Sequence, residues 1–439
     1  MESNMKIDQS NALRARAHAV IPGGAHTYAK GDDQYPENAP GFLVRGEGSH
    51  VWDVDGNEFI EYGMGLRAVT LGHAHKSVVE AAYKQMLLGE NFTRPSPLEV
   101  ECAEELLSII DGADMVKFAK NGSDATSAAV RLSRSYTGRD LIAICGNHPF
   151  FAVDDWFIGS TPMNAGIPKA IQDLTVKFEY NNLDSLRRLF DRYSGQIACV
   201  IMEAEKEEEP ADGFLPGVKQ LCRDNGAVFV LDEMITGFRW HLRGAQKYYG
   251  VVPDLSTFGK ALGNGFSVSA LAGKREIMRL GGLDHDKERV FLLSYTHGAE
   301  NHALAAAREV IRTYKQEPVV EALWQKGALL RSGLLKAIHE HKLQDYFELV
   351  GKPCCLVYRT LDAARQPSQA FRTIFLQETI QRGIIAPSFV ISYSHSDADI
   401  ARTIEAVYES LLVYRKALEE GIEKYLVGRS VKPVFRRFN

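Results

Sequence analysis

Cysteine is scarce in this chain of 439 residues: Cys102, Cys145, Cys199, Cys222, Cys354 and Cys355 make up the whole set, with no C-x-x-C spacing. That excludes a disulfide scaffold and the usual zinc ribbons. Several sit inside apolar runs, as Cys199 does in the stretch 197–202, which suits reduced, buried thiols in a reducing compartment. No apolar stretch approaches bilayer-spanning length, and Met1–Lys6 contains no signal-like apolar core. A basic excess is also missing. The formal charge is −5, whereas a dedicated nucleic-acid binder presents a basic face. The expectation is a cytoplasmic enzyme with neither a nucleic-acid nor a membrane partner. One local exception, the basic tail with Arg429, Lys432, Arg436 and Arg437, reads most simply as a solvated or packed terminus. The pair His73 and His75 has no third ligand nearby, so it is read as structural and no metal is expected.

The chain has an ordinary globular composition, 45% hydrophobic and 24% charged, and its length predicts two lobes. No repeat or low-complexity linker separates them. Residues flanking the turn Asp53–Asn57, including Phe59 and Ile60, are expected to pair as an antiparallel hairpin. Between about 100 and 300, continuous apolar runs (141–145, 199–202, 227–231) alternate with helical stretches such as 218–222. This is the pattern of a mainly parallel sheet covered by helices. Beyond 300 helices dominate, and in the last of them Ile404, Val407, Tyr408, Leu411 and Leu418 form one apolar stripe. The expected architecture is α/β, a large domain at 66–310 beside a smaller α+β domain built from both chain ends, 1–65 and 311–439.

Ligands of open parallel sheets sit beyond the carboxyl ends of the strands, and three segments are placed to reach that edge. In the first, Gly122 and Ser123 open a small-residue helix, where free N–H groups and the helix dipole suit a phosphate; an ordinary cap made by Ser123 or Asp124 is the plain alternative. In the second, Asp232 and Glu233 end an apolar strand. A buried carboxylate requires a cation or a protonated ring nitrogen, and a structural pairing with Arg239 would serve equally. In the third, Lys260 is framed by Gly259, Gly263 and Gly265 among apolar residues that favour the neutral amine. Phosphate cradle, strand-end acid and glycine-framed lysine, in that order, are what pyridoxal phosphate needs.

These motifs resemble those of the class III aminotransferases, in the branch around glutamate-1-semialdehyde aminomutase. The likeness runs over nearly the whole chain: Asp53–Gly56 with Glu61–Tyr62 and Leu71–His73, then 121–125, 231–239 and 258–260. It implies the pyridoxal-phosphate-dependent transferase fold of type I. Gly122 and Ser123 would hold the phosphate, Asp232 the pyridine nitrogen and Lys260 the aldehyde as a Schiff base, with Glu203 also facing the cofactor. It further implies a homodimer with shared active sites, in which Thr296, or His297 one residue on, donates to the neighbouring subunit's phosphate; a helix cap is the other reading of that stretch.

Three departures bear on the substrate. Asn147 stands where the family has a ring-stacking aromatic, leaving His148 or Phe150 either to stack instead or to fill core. Lys30, in the loop with Tyr28, replaces the branch's carboxylate-binding arginine, so a planar two-pronged grip becomes a point charge. The segment 386–395 lacks the branch's glutamate. A charge run at 206–209 replaces a normally small stretch and reads as solvated. The expected function is amino transfer between an amino donor and a polar carbonyl substrate, such as a sugar-type intermediate, by a ping-pong mechanism with Tyr28 and Lys30 contacting the substrate. An intramolecular aminomutase is the alternative reaction, and a non-catalytic pyridoxal-phosphate-binding protein the alternative class.

Overall fold

A computed structural model describes residues 5–146, 150–205 and 207–438. The chain forms two compact units, residues 76–320 with 437–438, and residues 5–75 with 321–436.

The larger unit is built on a seven-stranded sheet. Its strands are β1 (Met115–Ala119), β2 (Leu141–Cys145), β3 (Thr175–Phe178), β4 (Ile197–Glu203), β5 (Val228–Asp232), β6 (Leu255–Phe258) and β7 (Ser269–Gly273). They lie in the spatial order β1-β7-β6-β5-β4-β2-β3. Neighbours from β3 to β6 pair in parallel, and only β7 runs antiparallel, against β1 and β6. Every residue of β2, β4 and β5 is buried, as expected of strands covered on both faces. The mainly parallel α/β sheet expected from the apolar runs is therefore present. Helix α1 (Gly122–Thr137) turns Ala125, Ala128, Ala129 and Leu132 inward, and side chains this small let it lie close against the sheet.

The strand register sets the site. Glu203 pairs with Asp232 and Asp232 with Thr257, so the ends of β4, β5 and β6 are level. The chain leaves β6 straight into Gly259 and Lys260.

In the smaller unit, Leu43–Glu47, His50–Asp53 and Glu58–Glu61 form an antiparallel meander, extended in parallel by Ile384–Ile385. The hairpin expected around Asp53–Asn57 forms, and both chain ends share this sheet. Phe59, Val51, Ala39, Ile380 and Ile385 make its core. A second sheet joins Phe347–Val350, Cys355–Thr360 and Phe389–Val390.

The terminal helix Asp397–Glu420 departs from the expected stripe. Val407 and Leu411 are buried, but Tyr408 is exposed, and the inward face continues through Ile400, Thr403, Ser410 and Tyr414. Thr403 and Ser410 donate their hydroxyls to the carbonyls of Asp399 and Ala406. Satisfied in this way, they pack inward as small apolar residues would.

Candidate active site

Asp232 anchors the site. Its carboxyl is buried, and Oδ1 accepts from the Met234 N–H at 2.9 Å and from the Thr257 hydroxyl at 3.0 Å. Burial pushes its pKa up from 3.8 to about 6, partly opposed by the Met234 N–H and by the positive charge of Lys260. The cation acting on Asp232 is thus Lys260. Arg239, the alternative raised by the sequence, donates Nη1 to the Ile235 carbonyl at 2.6 Å.

The neighbouring Glu233 turns to a different task. It accepts the N–H groups of Ala245 and Gln246 at 2.8 and 2.7 Å, together with the Thr236 hydroxyl. Burial raises its pKa to about 7. The two adjacent carboxyls therefore have separate roles: Glu233 ties down the loop before Ala245, and Asp232 is left at the strand end.

Lys260 is half-buried, in a left-handed backbone conformation with φ of 44°, which is strained for any residue bearing a Cβ. Its loop and the start of α1 meet at Met234. A Cβ added to Gly259 would stand 2.7 Å from the Met234 sulfur, and one added to Gly122 would stand 3.1 Å from it. The three segments singled out in the sequence thus converge on one thioether, and the glycines are what permit it.

The start of α1 is firmly built. Asp124 Oδ2 accepts from the N–H groups of Asn121 and Lys120 at 2.8 and 3.2 Å. The Ser269 hydroxyl donates to the Asn121 carbonyl at 2.7 Å. Asp124, not Ser123, makes this cap. The buried Ser123 Oγ accepts from the Val153 N–H at 3.1 Å, and the first-turn N–H groups of Gly122 and Ser123 have no acceptors within the helix, as at any helix start. Glu203 is buried at the end of β4.

The remaining sequence candidates lie as follows. Phe150 is exposed and meets Phe157 edge-on at 5.7 Å. His148 falls outside the described residues, as do Asn147 and Lys206. Thr296 is exposed in an irregular segment; since helix Asn301–Gln316 is capped at Glu300, Thr296 is not its cap. Tyr28 and Lys30 are exposed in the smaller unit, where Lys30 borders a cavity of about 550 Å³ also lined by Ile21, Tyr35, Phe42, Leu43 and Ile385. Thr257, Met234 and Ser269 were not anticipated, because their roles depend on strand register and not on any local motif.

The family model "Aminotransferase class-III" matches residues 32–351. This chain belongs to the class-III aminotransferases. Among curated relatives, glutamate-1-semialdehyde 2,1-aminomutase 2 of Bacillus cereus (strain B4264) is 31% identical over 423 residues, covering 91% of this chain and 97% of the relative. Among solved structures, the FumI protein of Sphingopyxis sp. MTA144, in its PLP internal aldimine form, superposes with a TM-score of 0.85 at 28% identity, covering 94% and 97% of the two chains. A transaminase with PLP bound gives 0.85 at 26% identity, covering 94% and 100%. The fold is that of the type I pyridoxal-phosphate enzymes, and pyridoxal phosphate is the cofactor of this class-III chain. Its residues fit that group: a buried acid at a raised pKa suits a protonated ring nitrogen, a lysine stands close to it, and a capped helix start beside glycines suits a phosphate. No described helix is long and apolar enough to cross a membrane.

Proposed function

We propose that this class-III enzyme moves an amino group from an amino donor to a separate polar carbonyl acceptor in two half-reactions, with Lys260 and Asp232 as its catalytic pair. The observation carrying this reading is the buried Asp232 carboxyl at the end of β5, held by the Met234 N–H and the Thr257 hydroxyl beside the strand that leads into Lys260. Pyridoxal phosphate, when bound, supplies the aldehyde that receives the amino group and a ring that withdraws electrons from the reacting carbon. Asp232 would hold the proton on the ring nitrogen, its carboxyl fixed by the Thr257 hydroxyl and the Met234 N–H. The Lys260 amine would hold the aldehyde, and its Nζ would be the group that takes a proton from the donor carbon as base and gives one back as acid. Gly122 and Ser123 would offer their N–H groups to the phosphate, with Glu203 at the neighbouring strand end and Phe150 to cover the ring.

Tyr28 and Lys30 are assigned to the acceptor. Lysine gives one charge without a planar fork, and the apolar walls beside Lys30 suit a compound with an anionic or hydroxylated end and an apolar portion. The exposed apolar residues Tyr83, Met86, Leu87, Leu88 and Phe92 support a homodimer, with Thr296 reaching the partner's phosphate. A second reading, intramolecular amino transfer, is favoured by the 31% identity to the Bacillus aminomutase. The two separate in single-turnover assays across a panel of amino donors and carbonyl acceptors. A transaminase releases the donor's keto product in the absence of acceptor. Activity confined to glutamate-1-semialdehyde, with no donor product released, would refute the proposal.

A further inference from the structure

The loop that carries Tyr28 and Lys30 has little structure of its own. It consists of three short 3-10 turns, Pro22–Gly24, Tyr28–Lys30 and Asp32–Gln34, and segments held by so few internal hydrogen bonds open readily. Its Tyr28–Lys30 portion is exposed, whereas its acidic end is held from two sides. On one side, Asp32 Oδ2 meets His18 Nε2 at 3.1 Å and Arg14 Nε at 3.6 Å, both from helix Asp8–Val20.

The other side is held by the basic tail. Arg429 Nη2 donates to the Asp32 carbonyl at 2.8 Å and lies 3.9 Å from its carboxylate. The Arg429 N–H donates to Glu37 Oε1 at 3.2 Å, the Lys432 N–H donates to the Asp33 carbonyl at 2.9 Å, and Arg436 Nη2 pairs with Asp33 Oδ2 at 2.7 Å. The tail is itself fixed to helix Gln369–Gln381. The Val427 N–H donates to Gln377 Oε1 at 3.0 Å, the Val431 N–H donates to the Thr373 hydroxyl at 2.8 Å, and Val431 is buried. Gly428 passes so close that a Cβ there would stand 2.3 Å from the Glu37 carboxyl. Three residues of the basic cluster that reads in sequence as a solvated or packed terminus, Arg429, Lys432 and Arg436, are thus bound to Asp32–Asp33 at the acidic end of this loop.

We infer that residues 427–436 are a clamp in which Arg429 and Arg436 act as positioning residues for Lys30, so that the tail sets the enzyme's affinity for an anionic substrate. Neither arginine touches the substrate. Each ion pair is partly exposed and weak alone, but together with the backbone bonds they hold both ends of Asp32–Asp33 and limit how far the adjoining Tyr28–Lys30 turn can move. The inference rests on the reading of Lys30 as the anion contact.

The test uses the full-length, cofactor-loaded enzyme and two carbonyl reagents followed by the cofactor's visible absorption: anionic aminooxyacetate and neutral methoxyamine. Variants are Arg429→Ala/Arg436→Ala, the charge exchange Asp33→Arg/Arg436→Asp, and Lys30→Ala. Tryptic cleavage after Lys30 gives a readout independent of chemistry. In the double-alanine variant, cleavage after Lys30 should quicken about 10-fold and half-saturating aminooxyacetate should rise about 5-fold, with the limiting rate and the methoxyamine rate within about 2-fold. The charge exchange should restore much of both. Unchanged cleavage overturns the clamp, as does a normal aminooxyacetate response when Lys30→Ala weakens it. If Lys30→Ala itself has no effect, the substrate reading of the loop falls, and the inference with it. Should the double-alanine variant fail to fold, Arg436→Gln alone is measured against the same outcomes.

Discussion

Replacing Asp232 by asparagine tests the electrostatic basis of the site. The carboxyl is buried and its pKa lies at about 6 instead of 3.8, a difference worth on the order of 3 kcal/mol. In the cofactor-free protein this is a penalty on the ionised form. The folded chain keeps the proton while the unfolded chain releases it, so stability contributed at this position falls as pH rises from about 4 through about 6. Asparagine keeps an acceptor oxygen for the Met234 N–H and Thr257 and carries no charge. The stability of the wild type minus that of Asp232→Asn, from urea titrations of the apoprotein between pH 4 and 8, should therefore decline across that window and then level off. Cofactor affinity should change in the opposite sense. A protonated ring nitrogen gives the buried charge its partner, so at pH 8 the wild type should bind pyridoxal phosphate on the order of 100-fold more tightly than the variant. A difference in stability that is flat with pH, together with equal cofactor affinities, would refute the reasoning.

Other perturbations follow from the same contacts. Glu233→Ala leaves the N–H groups of Ala245 and Gln246 without their acceptor and should lower stability by about 2–4 kcal/mol in denaturant titration; Glu233→Gln should recover part of it. Gly259→Ala drives a Cβ to 2.7 Å from the Met234 sulfur and should weaken cofactor binding about 10-fold, with a partial return in Gly259→Ala/Met234→Ala measured by fluorescence titration. His395 lies buried against Tyr62 with ring centroids 4.4 Å apart, its pKa pushed down to about 4 by burial despite the pull of Asp399. The unfolded chain takes up that proton first, so stability falls as pH drops from about 6.5 to about 4, by up to roughly 3 kcal/mol. His395→Phe should remove that acid sensitivity in urea titrations at pH 5 and pH 8.

The parallel core was legible because strands buried on both faces read as continuous apolar runs, and 141–145, 197–202 and 228–231 are such runs. Strand β7 was not, since in Ser269–Gly273 four small residues surround Leu271 and have little strand preference of their own; its neighbours β1 and β6 impose the conformation. The same holds at the site. Asp232, Gly122 and Lys260 could be picked out because each stands next to a strand end or helix start that the pattern marks. Thr257 could not, because only the pairing of β5 with β6 brings its hydroxyl to Asp232. Met234 looks like one more apolar residue until its sulfur is found between two glycines. The helix stripe was misplaced at Tyr408 because hydrophobicity alone does not reveal that Thr403 and Ser410 satisfy their hydroxyls within the helix.

Sodium borohydride reduction of the cofactor-loaded protein, followed by proteolysis and peptide mass mapping, tests the central assignment most directly. A phosphopyridoxyl mass on the peptide containing Lys260, lost in Lys260→Ala, is the expected result. The same mass on a peptide with any other lysine would contradict it.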